Sequence, residues 1–216
     1  MSRIISRQIT KDRFSFDCSS GQALQLLQAC YTAEVKTRGR ECLMDGATTG
    51  NLQRLAQWLT DPDDPRFGVL FSGGTGTGKT TMMRALADAI EYMAADEGEE
   101  QRRLCRTLYI VDAVKAGPKD AGTMMLGIDD LGTEPVEVQD YGNITTPIID
   151  LLTRRYQSRY FTAVTTNLTP KEIRQRYGDR IADRCNEMFI TIGFSQGTYR
   201  STVHIDKYRT QHGVEQ

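Results

Sequence analysis

Apolar residues recur along this chain with two different periods. Gly68-Val69-Leu70-Phe71, Leu108-Tyr109-Ile110-Val111, Met124-Met125-Leu126-Gly127-Ile128, Tyr160-Phe161-Thr162-Ala163-Val164 and Phe189-Ile190-Thr191-Ile192 are short, nearly continuous apolar runs. Such runs suit strands covered on both faces. Other segments show helical spacing: Met82, Met83, Leu86, Ala87, Ile90 and Met93, then Ile148, Ile149, Leu151, Leu152 and Tyr156 after Thr146-Pro147. Thr169-Pro170-Lys171-Glu172 joins a capping box to a first-turn proline and predicts another helix. Upstream, Ser19 or Ser20 caps a helix through Leu24, Leu27 and Tyr31 towards Lys36, and Arg38-Gly39-Arg40 breaks it. Asp45-Gly46 signals a turn, after which Leu52, Leu55, Ala56 and Leu59 line one helical face that ends at Asp61-Pro62. Residues 1–17 show no clear period, and Asp96-Glu97-Gly98-Glu99-Glu100 reads as an exposed acidic loop. Strands alternating with helices predict an α/β domain over residues 61–216, with a five-stranded, mainly parallel sheet and helices on both faces. Residues 1–60 form a short helical N-terminal extension.

Between the first strand and its helix lies Gly73-Gly74-Thr75-Gly76-Thr77-Gly78-Lys79-Thr80, which matches G-x-x-x-x-G-K-[ST]. The context is the one this phosphate-binding loop needs, because free N–H groups and the dipole of a new helix favour an anion. The pattern predicts a P-loop NTPase that binds ATP with Mg²⁺. The glycines allow close backbone approach, Lys79 reaches the outer phosphates, the Thr80 hydroxyl ligates Mg²⁺, and Thr81 continues the nucleotide-binding run.

Two further polar groups fall at strand ends, where ligands bind in open α/β sheets. Leu126-Gly127-Ile128-Asp129-Asp130 places Asp129 to hold Mg²⁺, directly or through water, and Asp130 to orient or deprotonate an attacking water. Glu134 is a second candidate for that base. Thr165-Thr166-Asn167 puts an amide at the end of the next strand, able to bond the terminal phosphate or the water, or else simply to cap the following turn.

Composition narrows the class. The five cysteines, Cys18, Cys30, Cys42, Cys105 and Cys185, contain no C-x-x-C, and the two histidines, His204 and His212, lie near the C-terminus, which argues against zinc. Unpaired cysteines and the lack of a signal peptide or long apolar run suit a cytoplasmic protein without membrane contact. The net charge of −1 hides an asymmetry: +3 over residues 1–60, −9 over 61–150 and +5 over 151–216. The basic last third is either a footprint for a nucleic-acid backbone or a solvated surface with arginines that serve the nucleotide.

These motifs, with Tyr177-Gly178-Asp179-Arg180-Ile181-Ala182-Asp183-Arg184, resemble the AAA+ ATPase module of DnaC-type helicase loaders and the related IstB-type transposition helpers over roughly residues 65–205. The resemblance implies an ATPase that acts with a replicative helicase or a transposase, touches single- or double-stranded DNA, and forms homo-oligomers through head-to-tail contacts. It implies that Asn167 is the first sensor and that Arg184 reaches the ATP of a neighbouring subunit, with Arg180 the next candidate. Arg200 in Thr198-Tyr199-Arg200-Ser201 would be the second sensor. The loaders carry a larger N-terminal domain, and the short Ala113–Thr123 stretch leaves only Lys115 and Lys119 as candidates for single-strand contact. A small P-loop kinase and a nucleotide-gated binding protein with little turnover are the alternatives of other classes.

Overall fold

The computed structural model describes residues 13–95, 108–113, 125–140, 142–195 and 199. Helices α1 (Ser20–Thr37) and α2 (Gly46–Leu59) precede β1 (Gly68–Gly73) and α3 (Lys79–Ala95). Strands β2 (Leu108–Asp112) and β3 (Met125–Leu131) lead to a hairpin of β4 (Val138–Asp140) and β5 (Asn143–Thr145). Then come α4 (Pro147–Ser158), β6 (Phe161–Thr166), α5 (Pro170–Tyr177), α6 (Asp179–Met188) and β7 (Phe189–Phe194). The acidic run 96–100 and residues Lys115 and Lys119 lie outside the described residues.

The main sheet has the order β2-β3-β6-β1-β7, and every neighbouring pair is parallel. Strand β6 therefore lies between β1 and β3, with Val164 opposite Leu70 on one side and Ile128 on the other. The carboxyl ends of these three strands emerge side by side, and all the residues expected to meet phosphate or metal from the strands sit there.

Side-chain alternation divides the core into two layers. Val69, Phe71, Ala163, Ile190 and Ile192 face α1, α2 and α3, whereas Leu70, Leu126, Ile128 and Val164 face α4, α5 and α6. The N-terminal helices belong to the first layer: Leu27, Tyr31, Leu52 and Leu59 share one cluster with Phe71, Met82 and Leu86. Burying several leucine-sized side chains stabilises this contact by about 1.5–3 kcal/mol each. The chain entering it is pinned by Arg13, which stacks 4.6 Å above the Trp58 ring and donates to the carbonyls of Trp58, Asp61 and Arg66.

Local chemistry explains the helix starts. Ser19 and Thr169 form capping boxes with Gln22 and Glu172, and Pro147 and Pro170 open their helices. Asp45 caps α2 by accepting from the Thr48 N–H at 2.7 Å, so the Asp45-Gly46 turn signal is also a helix start. Helix α4 departs from its pattern, because Arg155 is fully buried. Its guanidinium donates to the Thr162 hydroxyl and the Phe161 carbonyl, both at 2.6 Å, and burial lowers its pKa to about 10.

Two features differ from the expected elements. Strand β3 does not stop before its aspartates but runs through them to Leu131, with a register shift between Ile128 and Leu131 and Asp130 at φ 56°. Such a bulge re-aims side chains locally. The β4–β5 hairpin is too short for periodicity to reveal, and its Ile144 is 71% exposed. Among the described residues, no helix is long and apolar enough to cross a membrane.

The start of β1 is a tight point of the sheet. A Cβ on Gly68 would lie 2.5 Å from the Thr162 carbonyl oxygen and 2.8 Å from the Phe189 ring. Gly68→Ala is expected to destabilise the fold by about 1–3 kcal/mol, as overpacking does, read as a lower urea midpoint at unchanged slope.

Candidate nucleotide site

The loop between β1 and α3 is shaped by contacts at both ends. Gly73 passes so close to β7 that a Cβ there would lie 2.2 Å from the Phe194 carbonyl oxygen. Gly76 and Gly78 take φ of 80° and 98°, a region that side chains strongly disfavour. Thr77 donates to the Gly74 carbonyl at 2.9 Å and closes the loop on itself. Lys79, the first residue of α3, turns its ammonium back into this loop. Nζ donates to the carbonyls of Gly73 and Gly74 at 2.8 and 2.6 Å and to Oδ1 of Asn167 at 2.8 Å. Lys79 and Asn167, 88 residues apart, are thus in direct contact.

Asp129 is the second meeting point. Its Oδ1 accepts from the Thr80 hydroxyl at 2.9 Å and from the Thr165 hydroxyl at 2.6 Å. Thr165 in turn accepts from the Asp130 N–H at 2.8 Å, which fixes the backbone where β3 bulges. A hydroxyl and a carboxylate held this way form a hard oxygen pair of the kind that suits Mg²⁺. Asp130 follows at the rim, and its side chain borders the cavity described below.

Glu134 does not join them. It is 2% exposed, accepts from the Gly132 N–H at 2.8 Å and from the Tyr177 hydroxyl, and lies 3.9 Å from Arg176. Both carboxylate oxygens are engaged in tying the turn after β3 to α5, so the reading of Glu134 as a second base is corrected to a structural role.

In front of the loop opens a cavity of about 590 Å³, within the range of small-molecule sites. Thr75, Gly76, Thr77, Gly78, Lys79, Thr80 and Thr81 form its floor, and Asp130, Thr133 and Asn167 one wall. The opposite wall comes from the N-terminal helices and their connection: Tyr31, Val35, Arg38, Arg40, Glu41 and Leu43. Tyr199 completes it, donating its N–H to the Gly76 carbonyl at 3.0 Å and its hydroxyl to Asp45 at 2.5 Å. Burial, then the neighbouring Tyr199, push the Tyr31 hydroxyl up to about 12. Burial raises Asp45, but the Tyr199 hydroxyl and the amides of Thr48 and Ala47 outweigh it and hold the carboxyl below its usual range.

Sequence reasoning missed this second wall. Arg38-Gly39-Arg40 carried only the signal of a helix end, and Tyr199 stood beside the more conspicuous Arg200. Arg200 itself lies outside the described residues.

Arg184 is on α6 and away from the cavity, where it donates to the Thr153 hydroxyl at 2.7 Å and stacks 5.1 Å from the Tyr156 ring centre. Arg180 is exposed. Of the basic residues on α5, Arg174 is bound to Asp179 and Asp183 at 2.6 and 2.7 Å, and Arg176 donates to the Glu134 carbonyl. Much of the positive charge of this region is therefore neutralised within the fold.

Strand order, phosphate loop and carboxylate strand together define a P-loop nucleotide-binding fold with a five-stranded parallel sheet. The solved structure of the DnaC helicase loader matches it with a TM-score of 0.51 and 18% identity, over 77% of this chain and 99% of that one. The structure of DnaI matches with a TM-score of 0.51 and 16% identity, over 75% and 89% of the respective chains. At these identities the likeness is one of fold. No protein-family profile and no curated protein matches the chain by sequence.

Thr165 offers a test of the carboxylate arrangement that leaves side-chain shape unchanged. Thr165→Val removes the donor to Asp129 and leaves the Asp130 N–H without its acceptor. Stability is expected to fall by about 1–3 kcal/mol, the usual result of stranding a buried polar group. Equal urea midpoints for Thr165→Val and wild type would contradict the arrangement.

Proposed function

We propose that this chain is an ATP-binding, Mg²⁺-dependent AAA+ ATPase that acts as a DnaC-like helicase-loading factor in DNA replication. The observation that carries the reading is the convergence of three distant segments at the carboxyl edge of a parallel sheet: Lys79, Thr80 and Asn167 line one cavity, and Asp129 accepts from the Thr80 hydroxyl beside it.

In this reading the loop amides and the N-terminus of α3 bind the phosphates, and Lys79 leaves its carbonyl partners to meet the outer ones. Thr80 and Asp129 hold Mg²⁺, which neutralises charge on the phosphoryl group. Asp130 orients the attacking water, and Asn167, already bonded to Lys79, senses the terminal phosphate. The wall of Tyr31, Val35 and Leu43 takes the base and ribose. Arg184 stands outside its own chain's cavity, which supports a role in trans across a head-to-tail contact between subunits. Arg200 remains the proposed second sensor within the chain.

The fold shared with the DnaC loader supports a protein partner of the replicative-helicase kind. The internal pairing of Arg174 and Arg176 also favours a protein over a DNA duplex as the main partner of α5. Contact with single- or double-stranded DNA is a secondary part of the proposal.

Two measurements test these roles. Lys79→Ala should weaken ATP binding at least tenfold in calorimetric titration, while Asp129→Ala should keep much of the nucleotide affinity and lose the Mg²⁺ requirement with turnover. ATP affinity equal in wild type and Lys79→Ala would remove the phosphate-loop assignment.

Arg184→Ala should bind ATP yet lose about 10³-fold or more in turnover, the scale of a supplied arginine. Mixed with Lys79→Ala, it should regain partial ATPase activity that rises with protein concentration. A mixture that co-assembles and stays inactive would transfer the role to Arg180.

A further inference from the structure

The phosphate loop of this chain is held from outside the motif by a backbone hydrogen bond from Tyr199. Strand β7 ends beside Gly73, and five residues beyond Phe194 the chain presents Tyr199 to the loop. Its N–H donates to the Gly76 carbonyl at 3.0 Å. In a trans peptide the carbonyl and the following N–H point in opposite directions. Holding the Gly76 carbonyl therefore also fixes the direction of the Thr77 N–H. The Tyr199 ring lies alongside Gly78, where a Cβ would be 3.9 Å from Cε2 and 3.2 Å from the Tyr31 hydroxyl.

Tyr199 is itself anchored. Its hydroxyl donates to Oδ2 of Asp45 at 2.5 Å and lies 3.3 Å from the Thr48 hydroxyl. The other Asp45 oxygen caps α2 through the Thr48 N–H at 2.7 Å. Helix α2 is fixed in the core by Leu52, Leu55 and Leu59, all fully buried. A rigid helix thus holds the tyrosine, and the tyrosine holds a loop with glycines at 73, 74, 76 and 78, whose freedom would otherwise have to be lost on binding.

We propose that Tyr199 is a positioning residue of the nucleotide site, keeping the phosphate loop in its anion-binding shape through the hydrogen bond to Asp45. The proposal rests on the ATP-binding reading above and extends it to a pair, Tyr199 and Asp45, that no phosphate-loop pattern contains.

The test uses the full chain and calorimetric titration with ATP. Tyr199→Phe keeps the ring and the backbone N–H but loses the anchor. Asp45→Ser keeps a good helix cap but is too short to reach Tyr199. Each variant is expected to bind ATP five- to tenfold more weakly, with KM raised and kcat within about twofold of wild type. The double variant should bind no more weakly than either single one, because both remove the same bond. Thermal unfolding of each variant without nucleotide reports that the fold is intact. Unchanged affinity in both single variants, or losses that add in the double variant, would overturn the proposal. If Lys79→Ala loses binding in the same experiment, the ATP reading stands without it; if wild type itself binds no ATP, both fall.

Discussion

One carboxylate oxygen joins three parts of this chain that are remote in sequence. Oδ1 of Asp129 accepts hydroxyls from Thr80 at the head of α3 and Thr165 at the end of β6. That contact requires β6 to lie between β1 and β3, and the sheet order supplies it. Two hydroxyl donors hold the carboxylate in one orientation at the head of α3. The rest of the site is arranged about this point: Lys79 one residue before Thr80, Asp130 one residue after Asp129, and Asn167 two residues after Thr165.

Charge is distributed around that point in a characteristic way. The Lys79 ammonium rests against backbone carbonyls and the Asn167 amide, acceptors that a phosphate oxygen could replace. Arg174 of α5 and Arg184 of α6 are instead engaged locally, the first with aspartates and the second with Thr153 and Tyr156. The long excess of acid over residues 61–150 leaves its mark as well: among the described residues, Glu134 is buried in a structural bond network, whereas Asp130 lines the cavity and Asp129 bonds Thr80 at its floor. Net charge by segment therefore says little about which surface meets a partner.

The cavity depends on more than the P-loop module. Its second wall belongs to α1, α2 and their connection, which share one hydrophobic cluster with β1 and α3. A nucleotide bound there would contact the N-terminal helices, the loop and Tyr199 together. Any change in the packing of α1 on α3, or of α2 on α1 and β7, would then be linked to nucleotide affinity, since a ligand shifts an equilibrium by its differential contact with the two states.

What the sequence determined by itself was everything governed by local rules. Apolar runs marked the strands of the main sheet, capping residues and prolines marked the starts of α1, α4 and α5, and the spacing of glycines, Lys79 and Thr80 marked the loop, because each depends on neighbours a few residues away. The position of Asp129 and Asn167 at strand ends was legible for the same reason. Tertiary structure alone decided which charges face inward. Arg155 carries no motif and Glu134 read as a candidate base, yet both are buried in structural contacts, because their hydrogen-bond partners, Thr162 and Phe161 for one and Tyr177 for the other, are brought to them by packing. It also decided the second wall of the cavity. Tyr31, Arg40 and Tyr199 carry no motif, and only the folding of α1 onto α3 and the return of the chain after β7 bring them to the phosphate loop.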